Sequence, residues 1–379
     1  MQTTQTILQN LIYGIQLGSI YALIALGYTM VYGVLRLINF AHGEVYMVGA
    51  FVGYYACTEG VGGVRLPFQD LTAHPEAAGQ NVALAVVALL LTMAICALLG
   101  MIIERFAYRP LRNGLKDGDA HFWGLAFALP IPLKFAPSFL SVQGLAMWIV
   151  SGIIFGFALR PVMKAMARRI VLSSSRLNAL ITAIGVSLLL QNGGLKVFGA
   201  NPKFVPNIVP EKSIDLPFGL QIQTNSIVIL LVALILMGIL RYVVLYTQRG
   251  KAMRAISHDI EAAKLMGIDT DRIISFTFAL GASLAGAAGF LVAVMTHIKI
   301  TPNFGVLPGL KAFVAAVLGG AGNIPGAVVG GLTMGIAENQ VSGIGSLQSY
   351  KDAVAFVILI LILLVRPAGL FGKSVPEKV

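Results

Sequence analysis

Charge is what this sequence has least of. Only 11% of its 379 residues are Asp, Glu, Lys or Arg, where a soluble domain carries roughly a quarter. A water-soluble fold of this length could bury a core but could not cover it, because 57% of the residues are hydrophobic and the mean hydropathy is +0.84. Cysteine is nearly missing. Cys57 and Cys96 both lie in or beside apolar runs, without the spacing of a metal site or the number a disulfide framework needs. No H-E-x-x-H occurs among the five histidines, and no Ser-His-Asp arrangement can be identified. The opening stretch "MQTTQTILQN" has no charged side chain, so a cleavable signal peptide with a basic leading region is not expected. Also missing are the ten-residue segments of alternating apolar and polar residues that would mark a transmembrane β-barrel.

What the sequence does have is length in its apolar runs. They lie near 8–35, 45–58, 82–104, 122–140, 145–165, 177–198, 225–246, 271–298, 305–320, 325–345 and 353–371. A run of about 20 such residues crosses a hydrocarbon core of about 30 Å. The expected fold is an all-α polytopic membrane protein with roughly 9–11 transmembrane or half-membrane helices, several runs being short or broken by glycine. The formal charge of +11 would suggest nucleic acid in a soluble protein. Here the basic residues sit in short loops, as the positive-inside rule demands, so no nucleic-acid partner is expected. Arg105, Arg109 and Arg112, then Lys164, Arg168, Arg169 and Arg176, then Arg249, Lys251 and Arg254 mark cytoplasmic loops. Loops 59–81 and 199–224 then fall outside, and the tail "GKSVPEKV" falls inside. Residues 1–379 read as one transmembrane domain. Within it, 114–176 leaves a basic loop and returns to one through a proline-broken hairpin at Pro130, Pro132 and Pro137.

One cytoplasmic loop is anomalous. "RGKAMRAISHDIEAAKLMGIDTDR", residues 249–272, concentrates charge in a chain that otherwise avoids it. Ser257 and Asp259 are good helix caps and Glu261 suits a first turn. Gly267 is a natural stop. Ile256, Ile260, Ala263 and Leu265 or Met266 offer an apolar stripe, and Glu261 can pair with Lys264 at i,i+3. The spacing predicts a short amphipathic helix. It is either a solvated linker or a knob that fits a groove on a soluble partner.

Three sets of polar or small residues interrupt the apolar runs. In "NFAHGE", Asn39, His42 and Glu44 stand between strongly apolar segments, with Gly43 permitting a break. Ionisable groups at membrane depth usually face a cavity or a partner. The segment is either an interfacial loop beside Arg36 or a discontinuous helix lining a path. In "LGGAGNIPGAVVGG", Gly319, Gly320, Gly322, Gly326, Gly330 and Gly331 are dense. They serve either close helix packing or a pathway hairpin of half-helices. Gln16, Ser19, Tyr21, Tyr28 and Tyr32 point to polar helix–helix contacts rather than to a path. Lys311, Glu338 and Asp352 either pair with one another or sit at interfaces. Near the C-terminus, "PAGLFGKS" imitates the end of a phosphate loop, but Pro367 stands where the pattern demands glycine.

Several stretches occur in one order: "GSIYALIALGYTMVYGVLRLINFAHGEVYMVGA" (18–50), "IERFAYRPLR" (103–112), "LITAIGVSLLLQN" (180–192) and "AAVLGGAGNIPGAVVGGL" (315–332). Together they resemble the branched-chain amino acid permease family of ABC importers, the LivH type. Glu261, Ala262 and Ala263, with Gly267 after three further residues, look like the EAA-x-x-x-G loop of such permeases. The resemblance covers nearly all of the chain except 114–176, which reads as an inserted membrane hairpin. It implies that 249–272 is a cytoplasmic coupling loop docked on an ATP-hydrolysing subunit. It also implies a second homologous permease, two ATP-binding subunits, a periplasmic solute-binding protein and a bacterial inner-membrane location. Membrane lipid is a further partner. The chain itself is then not an enzyme and holds no cofactor, ATP being bound by the partner subunit. Asn39, His42, Glu44, Gly319, Gly320, Gly322 and Gly326 become pathway candidates. Other solutes, such as urea, amides or other amino acids, remain alternatives. So does an ion-coupled secondary transporter, for which Glu44 and Glu338 are the tempting acids.

Overall fold

The computed structural model describes residues 2–58, 78–110, 176–205, 212–296 and 298–372. Residues up to 101 and from 187 onward make one compact unit, and 102–186 a second. The chain begins with α1 (Gln2–Leu35), α2 (His42–Thr58) and α3 (Ala78–Ile103), which runs on into a π-turn at Glu104–Tyr108. Then come α4 (Arg176–Phe198) and a hairpin of β1 (Ser213–Leu216) and β2 (Leu220–Gln223). After it come α5 (Thr224–Tyr246), α6 (Gln248–His258), α7 (Ile260–Leu265) and α8 (Thr270–Met295). The chain finishes with α9 (Val306–Gly319), α10 (Ile324–Ser342) and α11 (Ala353–Val365).

Nine of the apolar runs become helices at nearly the expected positions. The runs 122–140 and 145–165, and with them nearly all of the expected 114–176 hairpin, lie outside the described residues. Loop 59–77 lies outside them too. Helical segments at 4–35, 85–108, 179–198, 224–246 and 270–295 are long and apolar enough to cross a membrane. Helices α9 and α11 are apolar but shorter. At 14 residues, α9 is about 21 Å long and does not span a hydrocarbon core alone. The run expected to reach 371 stops being helical at Val365, because Pro367 follows.

The centre is built from small residues. Helix α1 packs along α10 through Gly14 and Gly18 on one side and Gly331 and Gly335 on the other. A Cβ on Gly18 would lie 2.7 Å from Leu332 Cα, and one on Gly331 would lie 2.5 Å from Ala22 N. Helix α2 meets α8 the same way, with a Cβ on Gly49 falling 2.6 Å from Gly286 Cα. In lipid no hydrophobic gain drives helices together, so such close backbone approach supplies the attraction. Accordingly Ile20–Met30 of α1 is buried throughout, as is Leu284–Met295 of α8. Helices α4 and α5 instead turn large side chains outward: Leu189 is 70% exposed and Leu231, Leu234, Ile235 and Ile239 each more than half. An outer surface of this kind suits lipid.

Glutamine side chains seat the β-hairpin on the start of α1. Gln9 donates to the Gln221 carbonyl at 2.7 Å and accepts from the Gln221 amide at 3.0 Å, while Gln5 donates to Gly219 O. The hairpin lies where α5 begins and α6–α7 lie where it ends, so they occupy opposite ends of the bundle.

Candidate functional site

The charged loop is two helices at an angle, not one. Thr247 caps α6, its hydroxyl accepting from Gly250 N. Arg254 then reaches back over the end of α5 and donates to the carbonyls of Val244 and Leu245, which have no helical partner there. Asp259 breaks the run in extended geometry and caps α7, its Oδ1 accepting from Glu261 N at 2.8 Å and Ala262 N at 3.0 Å. Ser257, expected to be a cap, instead donates to Arg254 O within α6. Gly267 closes α7 at φ +80°, where only glycine sits without strain. Its N–H donates to Lys264 O, and Ile268 N donates to Ala263 O. The expected ion pair forms, with Lys264 Nζ at 3.0 Å from Glu261 Oε1.

The apolar stripe divides. Ile256 and Ala263 are buried against the bundle, whereas Leu265 and Met266 are 89% and 82% exposed. Glu261, Ala262 and Gly267 are exposed beside them. The expected single stripe fails because the Asp259 break rotates the second helix relative to the first. An outward knob of two large apolar residues, ringed by an ion pair, is the result.

"NFAHGE" lies where α1 gives way to α2. Arg36 ends α1 at φ +54°. Asn39 organises the turn: its Oδ1 accepts from Ala41 N and its carbonyl accepts from His42 N. The break thus falls at 36–41, ahead of Gly43. Gly43 serves close packing instead, since a Cβ there would lie 2.7 Å from Gly305 O and 3.1 Å from Gly309 Cα. Asn39, His42 and Glu44 are all buried, at 4%, 1% and 2% exposure. The ring of His42 hydrogen-bonds the Ile24 backbone and lies 4.7 Å from the ring of Tyr28. Glu44 Oε1 accepts from Ser187 of α4 at 3.2 Å. His42 Nε2 and Glu44 Oε2 are buried without a hydrogen-bond partner among the described residues. The two side chains diverge, one toward α1 and the other toward α4.

The glycine-rich stretch is the turn between α9 and α10. Gly320 and Gly322 take φ +104° and +92°, and Asn323 caps α10 through Gly326 N. Gly319 and Gly326 face each other across the turn, and Gly330 packs on Ala315. Close packing accounts for Gly319, Gly326 and Gly330, and the left-handed backbone for Gly320 and Gly322. The segment after α11 folds under this turn: Leu370 N and Phe371 N donate to the carbonyls of Leu318 and Gly319, at 2.8 and 3.1 Å. Leu370 and Phe371 of the false phosphate loop therefore cap α9. Gly43 touches the start of α9 and Gly319 ends it, so both groups of pathway candidates border one short helix.

The three isolated charges pair. Lys311 Nζ lies 2.6 Å from Glu338 Oε1 and 2.6 Å from Asp352 Oδ1, and Tyr21 donates to Glu338 Oε2 at 2.8 Å. This cluster ties α1, α9, α10 and the start of α11. Glu338 is thereby fully engaged. Gln16 also makes a helix–helix contact, accepting from Ser226 of α5 at 2.6 Å. Composition gave no signal for Lys203, whose Nζ sits 4.8 Å from the ring centroids of both Tyr54 and Tyr55.

Residues 10–116 and 118–363 match a family described as branched-chain amino acid transport system, permease component. A high-affinity branched-chain amino acid transport system permease protein LivH from Salmonella typhimurium is 36% identical over 375 residues, covering 98% of this chain and 97% of its own length. The corresponding BraD protein of Pseudomonas aeruginosa is 35% identical over 378 residues, covering 98% of both. A ribose import permease protein, RbsC of Escherichia coli, is 29% identical over 130 residues, covering 33% of this chain and 40% of its own length. No solved structure matches. A helical bundle with several membrane-crossing segments, similar over almost its whole length to transport permeases, is a multi-pass membrane protein, and the chain belongs to the family of branched-chain amino acid transport system permease components.

Proposed function

We propose that the chain is the membrane-spanning subunit of an ABC importer for branched-chain or related neutral amino acids. In this reading it sits in the bacterial cytoplasmic membrane beside a second, homologous permease. Two ATP-binding subunits lie below, and a periplasmic binding protein delivers solute from the other side. The observation that carries the coupling is the α6–α7 pair. It is capped at Thr247 and Asp259, buried through Ile256 and Ala263, and armed outward with Leu265 and Met266. Such a rigid, half-buried lever can pass motion from a soluble partner into α5 and α8, which it joins. ATP-driven closure of the partners would push this lever and reopen the bundle on the opposite side.

Leu, Ile and Val are zwitterions with apolar side chains, so a path lined by backbone and apolar groups suits them. The branched-chain amino acid transport for which LivH and BraD are named supports this solute class. Asn39, His42 and Glu44 remain the candidates for contact along the path, with Gly319, Gly320, Gly322 and Gly326 shaping the hairpin beside it.

The test is uptake in cells that carry the whole transporter. Leu265→Asp with Met266→Asp should leave the permease in the membrane but abolish ATP-dependent leucine uptake and release the ATP-hydrolysing subunit on purification. Uptake that survives ATP depletion but collapses with a protonophore would instead favour an ion-coupled carrier.

A further inference from the structure

The end of α5 carries an arginine that faces outward with no acid to meet it among the described residues. Arg241 lies five residues before the helix ends at Tyr246, is exposed, and forms no ion pair among the described residues. An arginine left in hydrocarbon is costly unless it reaches a polar layer or an anion. Its neighbours suit that layer. Tyr242 and Tyr246, 63% and 69% exposed, stack on the same face with centroids 5.8 Å apart, and outward tyrosines mark the membrane–water boundary.

The chain then turns at Thr247 and brings more positive charge to the same end of α5. Gly250 packs directly on the last turn of α5, where a Cβ would lie 2.6 Å from Val244 C. Arg249 and Lys251, one residue to either side, are held at the rim of that helix end, and both are exposed. The Arg249 guanidinium lies over the Phe276 ring at 4.7 Å, which fixes its position without neutralising it. Arg254 is consumed in capping α5, but Arg241, Arg249 and Lys251 have no acidic partner among the described residues. Between Asp215 and Asp259 the sequence contains no Asp or Glu at all.

We propose that Arg241, Arg249 and Lys251, with Tyr242 and Tyr246, form a binding site for the phosphate headgroup of an anionic phospholipid. Charge complementarity selects the occupant: a cationic cluster at the depth marked by two tyrosines meets phosphodiesters and, among the described residues, no carboxylates. The exposed apolar face above it, Leu234, Ile235 and Ile239 with the open notch at Gly238, suits the acyl chains. Because Gly250 and Arg254 join this site to α6, a bound lipid would brace the root of the α6–α7 lever. The site requires the membrane reading only and is independent of which solute is carried.

The experiment uses the complete transporter, purified in mild detergent after exposure to vesicles of phosphatidylcholine and phosphatidylglycerol, with retained lipids counted by native mass spectrometry. Arg241→Gln combined with Arg249→Gln and Lys251→Gln should lower phosphatidylglycerol retention by about fivefold for each charge removed, with phosphatidylcholine unchanged. Arg241→Lys should stay near the wild type. Equal phosphatidylglycerol retention in the wild type and the triple variant would overturn the site. Should the triple variant not assemble, a photo-crosslinking side chain at Tyr242 in the otherwise native chain decides. An adduct with phosphatidylglycerol supports the site, and an adduct with another protein subunit overturns it.

Discussion

Lys311 shows how one residue can hold several helices. Its ammonium is 8% exposed and lies between two carboxylates, while the second oxygen of Glu338 is taken by Tyr21. Removing one member of a buried ion pair leaves a charge uncompensated, so Lys311→Met should cost about 3–5 kcal/mol. Thermal unfolding of the purified permease checks this, and Lys311→Met with Glu338→Leu should recover much of the loss. If the double variant is no more stable than the single, the pair is not the reason Lys311 matters. A second residue-scale expectation concerns Asp259, which satisfies two backbone N–H groups of α7. Asp259→Ala should weaken the lever by about 0.5–2 kcal/mol, seen as faster amide exchange at Glu261 and Ala262 and little change elsewhere.

At the scale of elements, the helix pairs depend on backbone proximity. Gly18 and Gly335 occupy the crossing of α1 and α10, where any side chain on either meets main-chain atoms of the other. Gly335→Leu should therefore separate the helices and remove the protein from the membrane fraction, whereas the same change at Gly238, where a Cβ meets nothing within 4 Å, should be tolerated. Expression and detergent-extracted yield measure both. Helix positions were legible in the sequence because apolar length is itself the signal: the run read near 225–246 is α5, Thr224–Tyr246. The α6–α7 loop was legible in composition but not in shape. Asp259 and Ser257 are equally good caps by residue type, and only the extended backbone at 259 decides that the break comes there. The meeting of Lys311, Glu338 and Asp352 was one of two readings the sequence left open, since those residues lie on three elements and nothing local records which side chains face one another. Nor was the tight seat of Gly43, which reads in sequence like a hinge and is occupied in space by Gly305 and Gly309.

For the whole molecule, the division of labour is geometric. Small-residue seams make α1, α2, α8 and α10 a rigid centre, and α4 and α5 face outward with bulky apolar side chains. A substitution on that outer face that keeps its apolar character, such as Leu189→Ile, should leave yield and uptake unchanged, as uptake assays on intact cells would read. The short helix α9 belongs to the centre but cannot cross a bilayer, and among the described residues its last two carbonyls, Leu318 and Gly319, are answered by Leu370 and Phe371. That arrangement has a consequence in time. While the ribosome is still making α10 and α11, the end of α9 has no donors for those two oxygens. The hairpin must wait, part-built, until residues 370–371 emerge and slide beneath it. Completion of this hairpin is thus expected to follow the synthesis of α10 and α11, and nascent chains halted before Leu370 would be the ones a membrane quality-control protease can still pull apart.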